Sequence, residues 1–140
     1  MKQGFVKVAS ATPRIRVADP VYNAQVICEQ AKEAAEHGAK IVVFPELCIT
    51  GYTCNDLFLQ ELLLEKAKEA LLTIAEETGQ LETLFLVGLP VDKDGRLYNV
   101  AAVLYRGRIL GMIPKKNIPM YAEFYDCLLY TSPSPRDGLL

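Results

Sequence analysis

The chain has 140 residues, of which 51% are hydrophobic and 23% are charged, and its formal net charge is −2 at pH 7. This composition excludes an intrinsically disordered chain, because enough apolar surface is present to form a core. The slight acidic excess does not favour nucleic-acid binding, and no apolar run approaches the ~20 residues that span a bilayer. No apolar signal segment precedes the first expected strand. We therefore expect a cytoplasmic protein with neither a nucleic-acid nor a membrane partner.

Cysteine and histidine are the residue types that would indicate a metal site or disulfides. The four cysteines are Cys28, Cys48, Cys54 and Cys127, and His37 is the single histidine. They lack the close pairs that zinc sites use, and disulfides belong mostly to oxidising compartments. We expect no metal site and four free thiols.

The first half of the chain predicts alternating strands and helices. Alternation of apolar and polar residues predicts a strand over 4–12. Asp19 and Pro20 are typical of a helix start, and apolar residues then recur at helical spacing up to Gly38, a fitting stop. The short β-branched run 41–44 predicts a buried strand.

The second half predicts one more helix and then strands. Apolar spacing predicts a single helix over 55–78 and a strand over 84–87 closed by a Gly-Leu-Pro turn. Residues 97–105 and 108–113 predict two strands of a hairpin. This order indicates an α/β fold with a parallel sheet core and added antiparallel strands.

A carboxylate, Glu46, follows the expected strand 41–44 in a loop bounded by proline and glycine. Ligand sites of open α/β sheets lie at the carboxyl ends of strands. Glu46 could act there as a general base. The pattern alone leaves open an ordinary loop carboxylate or a helix cap.

A lysine pair, Lys115 and Lys116, follows the last expected strand between Pro114 and Pro119. Prolines restrict the backbone, and an ammonium fixed in a water-poor site stabilises an oxyanion. Two solvated surface lysines are the alternative.

Together the two stretches carry a family resemblance. VVFPELCITGYTCNDLF (42–58) and IPKKNIPMYAEFYD (113–126), with GLPV and LYNVAAVL between them, resemble the nitrilase superfamily of carbon–nitrogen hydrolases. Within it they are most similar to the N-terminal glutaminase domain of glutamine-dependent NAD synthetases. The resemblance implies a partial α-β-β-α sandwich, the first half of that domain, over 1–126. We expect residues 127–140 to be a disordered or artefactual tail outside the family. We also expect the chain to be poorly soluble, because one sheet face or edge would be uncovered.

The resemblance also implies site residues. Glu46 matches the catalytic glutamate, which takes a proton from a nucleophilic cysteine, and Lys115 matches the lysine that stabilises the oxyanion. Tyr121 and Glu123 match substrate-binding positions near them. The family does not require its lysine to be followed by a basic residue such as Lys116.

The family's nucleophilic cysteine has no match in this sequence. It should follow Lys115 by several elements, whereas Cys127 comes only twelve positions later, and Cys48 lies two residues after Glu46. We therefore expect this chain alone to be inactive and to be a truncated fragment.

The resemblance implies glutamine as the substrate and no cofactor in this chain. ATP and magnesium are expected in the missing synthetase domain, which amidates deamido-NAD, and the full-length relative is expected to be a homo-oligomer. Two alternatives stay open. One is a fragment of a stand-alone nitrilase-family amidase such as a carbamoylase, and the other is a non-catalytic half-domain.

Overall fold

One mixed sheet of five strands organises the computed structural model, which describes residues 3–117. The elements are β1 (Val8–Ser10), α1 (Pro20–Glu36), β2 (Ile41–Val43), a 3-10 helix (Asn55–Leu59), α2 (Glu61–Glu77), β3 (Leu84–Lys93), β4 (Arg96–Tyr105) and β5 (Arg108–Pro114). The strands lie side by side in chain order; β1 to β3 are parallel, and β4 is antiparallel to β3 and β5. The predicted α/β fold is confirmed. None of the helices in this range is long and apolar enough to cross a membrane.

The first helix begins and ends as its sequence predicts. The Asp19 side chain accepts a hydrogen bond from the Tyr22 amide at 3.1 Å, which satisfies one of the free amides of the first turn. Pro20 occupies the first helical position, where its missing N–H costs nothing. After α1, Gly38 takes a φ of +84°, a left-handed conformation that glycine adopts without strain.

The prediction of one continuous helix over 55–78 is wrong. Gln60 adopts an extended backbone, with ψ at 119°, and separates the 3-10 helix from α2. Phe58 and Leu63, on the two sides of this break, are buried in one apolar cluster with Leu47 and Leu97. Packing into this cluster overrides the helical propensity of the sequence.

The strand predictions are right in kind but differ in length. β1 pairs only three residues with the short β2, so it is shorter than the predicted 4–12. β3 continues through Gly88 and Pro90 to Lys93, beyond the turn predicted there. The main-chain groups of Gly88 and Pro90, two residues apart, point to the same edge of β3, the one that faces β2. β2 ends opposite Leu86, so no strand lies beside Pro90 at this edge. The missing N–H of Pro90 therefore interrupts no pairing between strands.

The core lies between the sheet and the two helices. Alternate residues of β3 and β4, such as Val87, Leu89 and Ala102, are fully buried against α1 and α2. The opposite sheet face carries Val43 and Ile113, which are 45% and 60% exposed. Within residues 3–117 this second face has no covering layer, as expected for half of a sandwich.

The segment after β2 folds back across β3. The Phe44 amide donates to the Leu86 carbonyl at 2.9 Å, and the Ile49 amide donates to the Gly88 carbonyl at 3.1 Å. A Cβ atom at Gly88 would lie 2.4 Å from the Leu47 nitrogen and 2.7 Å from the Pro45 oxygen. The crossing segment therefore occupies the space that any other side chain at position 88 would need.

This close approach predicts different outcomes for two strand glycines. We expect Gly88→Ala to lower the free energy of unfolding by about 1–3 kcal/mol, because rigid backbone must shift. Gly111→Ala is the matched control, since Gly111 also lies in a strand and a Cβ atom there would meet no described atom within 4 Å. Its effect should stay within about 1 kcal/mol. Urea unfolding of both variants measures the difference, and equal effects would contradict the crossing at Gly88.

Candidate active site

A carboxylate and an ammonium meet at the carboxyl end of the sheet. Glu46 lies in the segment that crosses β3, and Lys115 directly follows β5. Lys115 Nζ lies 2.6 Å from Glu46 Oε1, and the two side chains are 28% and 39% exposed. An ion pair this accessible contributes about 0–1 kcal/mol to stability, so its interest is chemical: a proton acceptor lies beside a fixed positive charge.

A third residue, Asn99 of β4, joins the two. Asn99 is 3% exposed, and its side chain donates a hydrogen bond from Nδ2 to Glu46 Oε1. Its main-chain oxygen accepts from the Lys115 amide at 2.7 Å. We did not predict a role for Asn99 from the sequence. The signal was an amide side chain within an otherwise apolar strand, Leu97 to Leu104.

The backbone around Glu46 is held firmly. Leu47 is fully buried at a φ of +54°, a left-handed conformation that costs a residue with a side chain about 1 kcal/mol or more. The buried Asn23 of α1 donates to the Ile49 carbonyl at 2.9 Å and to the Arg16 carbonyl at 2.7 Å. These contacts fix the loop from the helical side, so Glu46 projects from a rigid segment.

An open groove of about 390 Å³ lies beside this cluster on the uncovered sheet face. Its floor is mainly apolar, with Val43, Leu86 and Ala101 from three adjacent strands. Glu46 and Lys115 line the same groove. The groove has the composition of a small-molecule site, in which a few polar groups converge on an apolar surface.

The structure distinguishes the two lysines of the predicted pair. Lys115 turns to Glu46, whereas Lys116 is exposed. The predicted contacts of Tyr121 and Glu123 fall outside the described residues, as does the tail 127–140. The roles of all four predicted site residues stay predictions; the geometry brings Glu46 and Lys115 together.

The cysteines of residues 3–117 are core thiols. Cys28, Cys48 and Cys54 are buried and free. Burial raises the pKa of the Cys28 and Cys48 thiols to about 11, and it also raises the pKa of Cys54. Cys48 Sγ points to the Gly88 carbonyl at 3.6 Å, and the thiol is 1% exposed. Reactive cysteines have a lowered pKa and an accessible sulfur, so none of these three has the properties of a nucleophile. Cys127 lies outside the described part.

Metal binding has no structural support in the same range. No group of three or more His, Cys, Asp or Glu side chains between residues 3 and 117 lies close enough together to hold an ion.

The comparison with protein families identifies the class. The model of the carbon–nitrogen hydrolase family matches residues 7–132. This chain therefore belongs to the carbon–nitrogen hydrolase family, as the two sequence motifs predicted. The end of the family segment at residue 126 stays a prediction, because it lies beyond the described residues.

Within this family, the chain is similar to glutamine-dependent NAD(+) synthetases. The chain is 39% identical over 125 residues to the glutamine-dependent NAD(+) synthetase of Mycobacterium bovis, covering 89% of this chain and 18% of that protein. It is 35% identical over 133 residues to the corresponding synthetase of Acinetobacter baylyi, covering 95% of this chain and 24% of that protein. The chain thus spans about a fifth of the length of these relatives.

Solved structures have the same fold. A glutamine-dependent NAD(+) synthetase from Cytophaga hutchinsonii superposes with a TM-score of 0.86 at 27% identity, over 93% of this chain and 22% of that one. An amidase from Nesterenkonia sp. superposes with a TM-score of 0.75 at 22% identity, over 93% of this chain and 49% of that one. The amidase likeness concerns the fold alone.

Buried thiols predict slow labelling by 5,5′-dithiobis(2-nitrobenzoate). In a Cys127→Ser variant at pH 7.5, a thiol with a pKa of about 11 is less than about 0.1% thiolate. We expect no rapid release of the coloured product in buffer and three equivalents in guanidinium chloride. One rapid equivalent in buffer would contradict the assignment of all three residues to the core.

Proposed function

We propose that this chain forms part of the glutamine-hydrolysing domain of an NAD synthetase. The observation that carries the proposal is the contact between Glu46 and Lys115, 2.6 Å apart at the end of an apolar groove. The pairing of a base with a fixed cation suits acyl transfer from an amide. Identity of 39% to a glutamine-dependent NAD(+) synthetase supports glutamine as the amide.

In the proposed reaction, Glu46 accepts the proton of a cysteine thiol. The thiolate attacks the side-chain amide carbon of glutamine, and the Lys115 ammonium stabilises the oxyanion that forms. The carbon–nitrogen bond then breaks, and the proton held by Glu46 goes to the departing ammonia. Glu46 then deprotonates a water, which attacks the carbon of the remaining thioester. The carbon–sulfur bond breaks, glutamate leaves, and the proton held by Glu46 returns to the thiolate.

The nucleophile in this scheme comes from outside residues 3–117. Cys28, Cys48 and Cys54 are buried and hard to ionise, and the hydrogen bonds that Glu46 accepts within this range come from other residues. We propose that the 140-residue chain alone releases no ammonia from glutamine. We further propose that Tyr121 and Glu123 contact the substrate, and that ammonia is used in a cytoplasmic, ATP- and magnesium-dependent ligase step elsewhere in the full-length, oligomeric protein.

A stand-alone amidase is the second candidate. The arrangement of Glu46 and Lys115 supports it equally, since a base beside a cation suits hydrolysis of other amides as well. The sequence favours the synthetase, because identity is 39% to the Mycobacterium bovis protein and 22% to the Nesterenkonia amidase.

Ammonia release from glutamine by the full-length native protein tests the proposal. We expect Glu46→Gln to lower the rate by about 10²- to 10⁴-fold, since the amide cannot accept the thiol proton. Lys115→Met should lower it by about 10²- to 10³-fold, because the oxyanion loses its fixed positive partner. Lys116→Met removes an exposed lysine of the same type and should retain the wild-type rate.

Three results would contradict the proposal. One is wild-type hydrolysis of a carbamoyl amine with no release of ammonia from glutamine, which would favour the amidase. Another is an equal effect of Lys115→Met and Lys116→Met. The third is ammonia release by the 140-residue chain itself, with loss of the activity on Glu46→Ala.

A further inference from the structure

Asn99 is hydrogen-bonded to both Glu46 and Lys115, to the first by its side chain and to the second by its main chain. The side-chain amide donates to the Glu46 carboxylate, and the main-chain carbonyl accepts the Lys115 N–H at 2.7 Å. Asn99 itself is almost fully buried in the central part of β4, between β3 and β5. A displacement of Asn99 would therefore move the carboxylate and the lysine main chain together.

The two side-chain donors that reach the Glu46 carboxylate within residues 3–117 both contact the same oxygen. Asn99 Nδ2 and Lys115 Nζ each contact Oε1. A carboxylate held at one oxygen by two donors has lost rotation about its last side-chain bond. The other oxygen, Oε2, is then presented in a constant direction.

We propose that Asn99 is the positioning residue of this site: it fixes Glu46 through Oε1 and so assigns proton exchange to Oε2. The inference rests on the proposed hydrolase function, but it concerns a residue to which that function assigns no role. Asn99 does not touch the reacting atoms and acts through Glu46 and Lys115.

The chemistry of asparagine suits this task. Lys115 alone could hold Glu46, but a lysine side chain is long and rotates freely, and here it is also needed at the oxyanion. A buried amide is rigid, and its N–H stays a donor at every pH at which the protein is folded. Asn99 therefore keeps the carboxylate in place by a contact that does not depend on the lysine side chain.

Reaction geometry sets the expected size of the effect. A displacement of a catalytic group by about 1 Å costs about 100-fold in rate. We expect Asn99→Leu, which keeps the branching of the side chain at Cγ but removes the donor, to lower kcat about 10- to 100-fold. KM should change less than about twofold, because Asn99 does not bind the substrate.

The test uses the full-length native protein and two variants of position 99. Asn99→Leu is paired with Asn99→Asp, which has the same shape but no amide N–H. Thr83→Val is the stability control, since buried Thr83 donates to the Ala39 carbonyl at 2.8 Å on another part of the sheet. We expect Thr83→Val to lower the melting temperature without changing kcat, and both Asn99 variants to lower kcat.

A crystal structure of Asn99→Leu gives a second measurement that is independent of activity. We expect the distance from Lys115 Nζ to Glu46 Oε1 to increase from 2.6 Å. Unchanged kcat in both variants, an unchanged distance, or failure of both variants to fold would overturn the proposal, the last because it would assign Asn99 to stability.

Failure of the proposed function is separate from failure of this inference. The wild-type protein measures the function: with no hydrolysis of glutamine but hydrolysis of another amide, the Asn99 variants are assayed on that amide. With no hydrolysis of any amide, the proposed function fails, and the distance in the Asn99→Leu crystal structure alone decides whether Asn99 positions Glu46.

Discussion

The contact between Glu46 and Lys115 joins two segments whose preceding strands are not neighbours in the sheet. β2 and β5 are separated by β3 and β4 in the sheet, so three strand spacings of ~4.8 Å place their ends about 14 Å apart. The chain after β2 closes this gap by crossing β3, and it can do so only where β3 has no side chain. Gly88 provides that place. The candidate site thus depends on the missing side chain of Gly88 in the neighbouring strand β3. The left-handed backbone of Leu47 lies in the segment that crosses β3 at this point.

Stability and chemistry at this site have different sources. The ion pair is too accessible to hold the loop, since exposed pairs contribute about 0–1 kcal/mol. The loop is held instead by buried groups: Leu47 in an apolar cluster, and Asn23 through hydrogen bonds to two carbonyls. The fold therefore does not rely on the attraction between Glu46 and Lys115. Asn99 combines the two features, since it is buried like a core residue and its side chain donates a hydrogen bond to the Glu46 carboxylate.

Local signals in the sequence predicted the elements, whereas contacts between distant segments decided the rest. The Asp19 cap, the Gly38 stop and the strand that precedes Glu46 all depend on neighbouring residues, and all were predicted. The break at Gln60 arises from burial of Phe58 and Leu63 in one cluster, which no periodicity within 55–78 reveals. In the site, a motif resemblance pointed to Glu46 and Lys115. Asn99 and Gly88 were missed as site residues because their importance comes from segments about 40 to 50 residues away in the chain.

Amide hydrolysis by a base and a cation has two requirements, and residues 3–117 meet only the first of them by themselves. A base and a cation must be placed within hydrogen-bond distance of each other, and residues 3–117 do this with contacts of their own. The cation must also act in surroundings from which water is excluded, because an oxyanion gains little from a charge that water screens. Here Lys115 is 28% exposed, and the groove wall is the uncovered sheet face. Residues 3–117 therefore place Glu46 and Lys115 next to each other. Exclusion of water requires further residues that close the groove, and the proposed scheme requires a nucleophile from outside this range as well. In the proposed scheme, one covering layer would therefore supply the nucleophile and also exclude water around Lys115, which strengthens its interaction with the oxyanion.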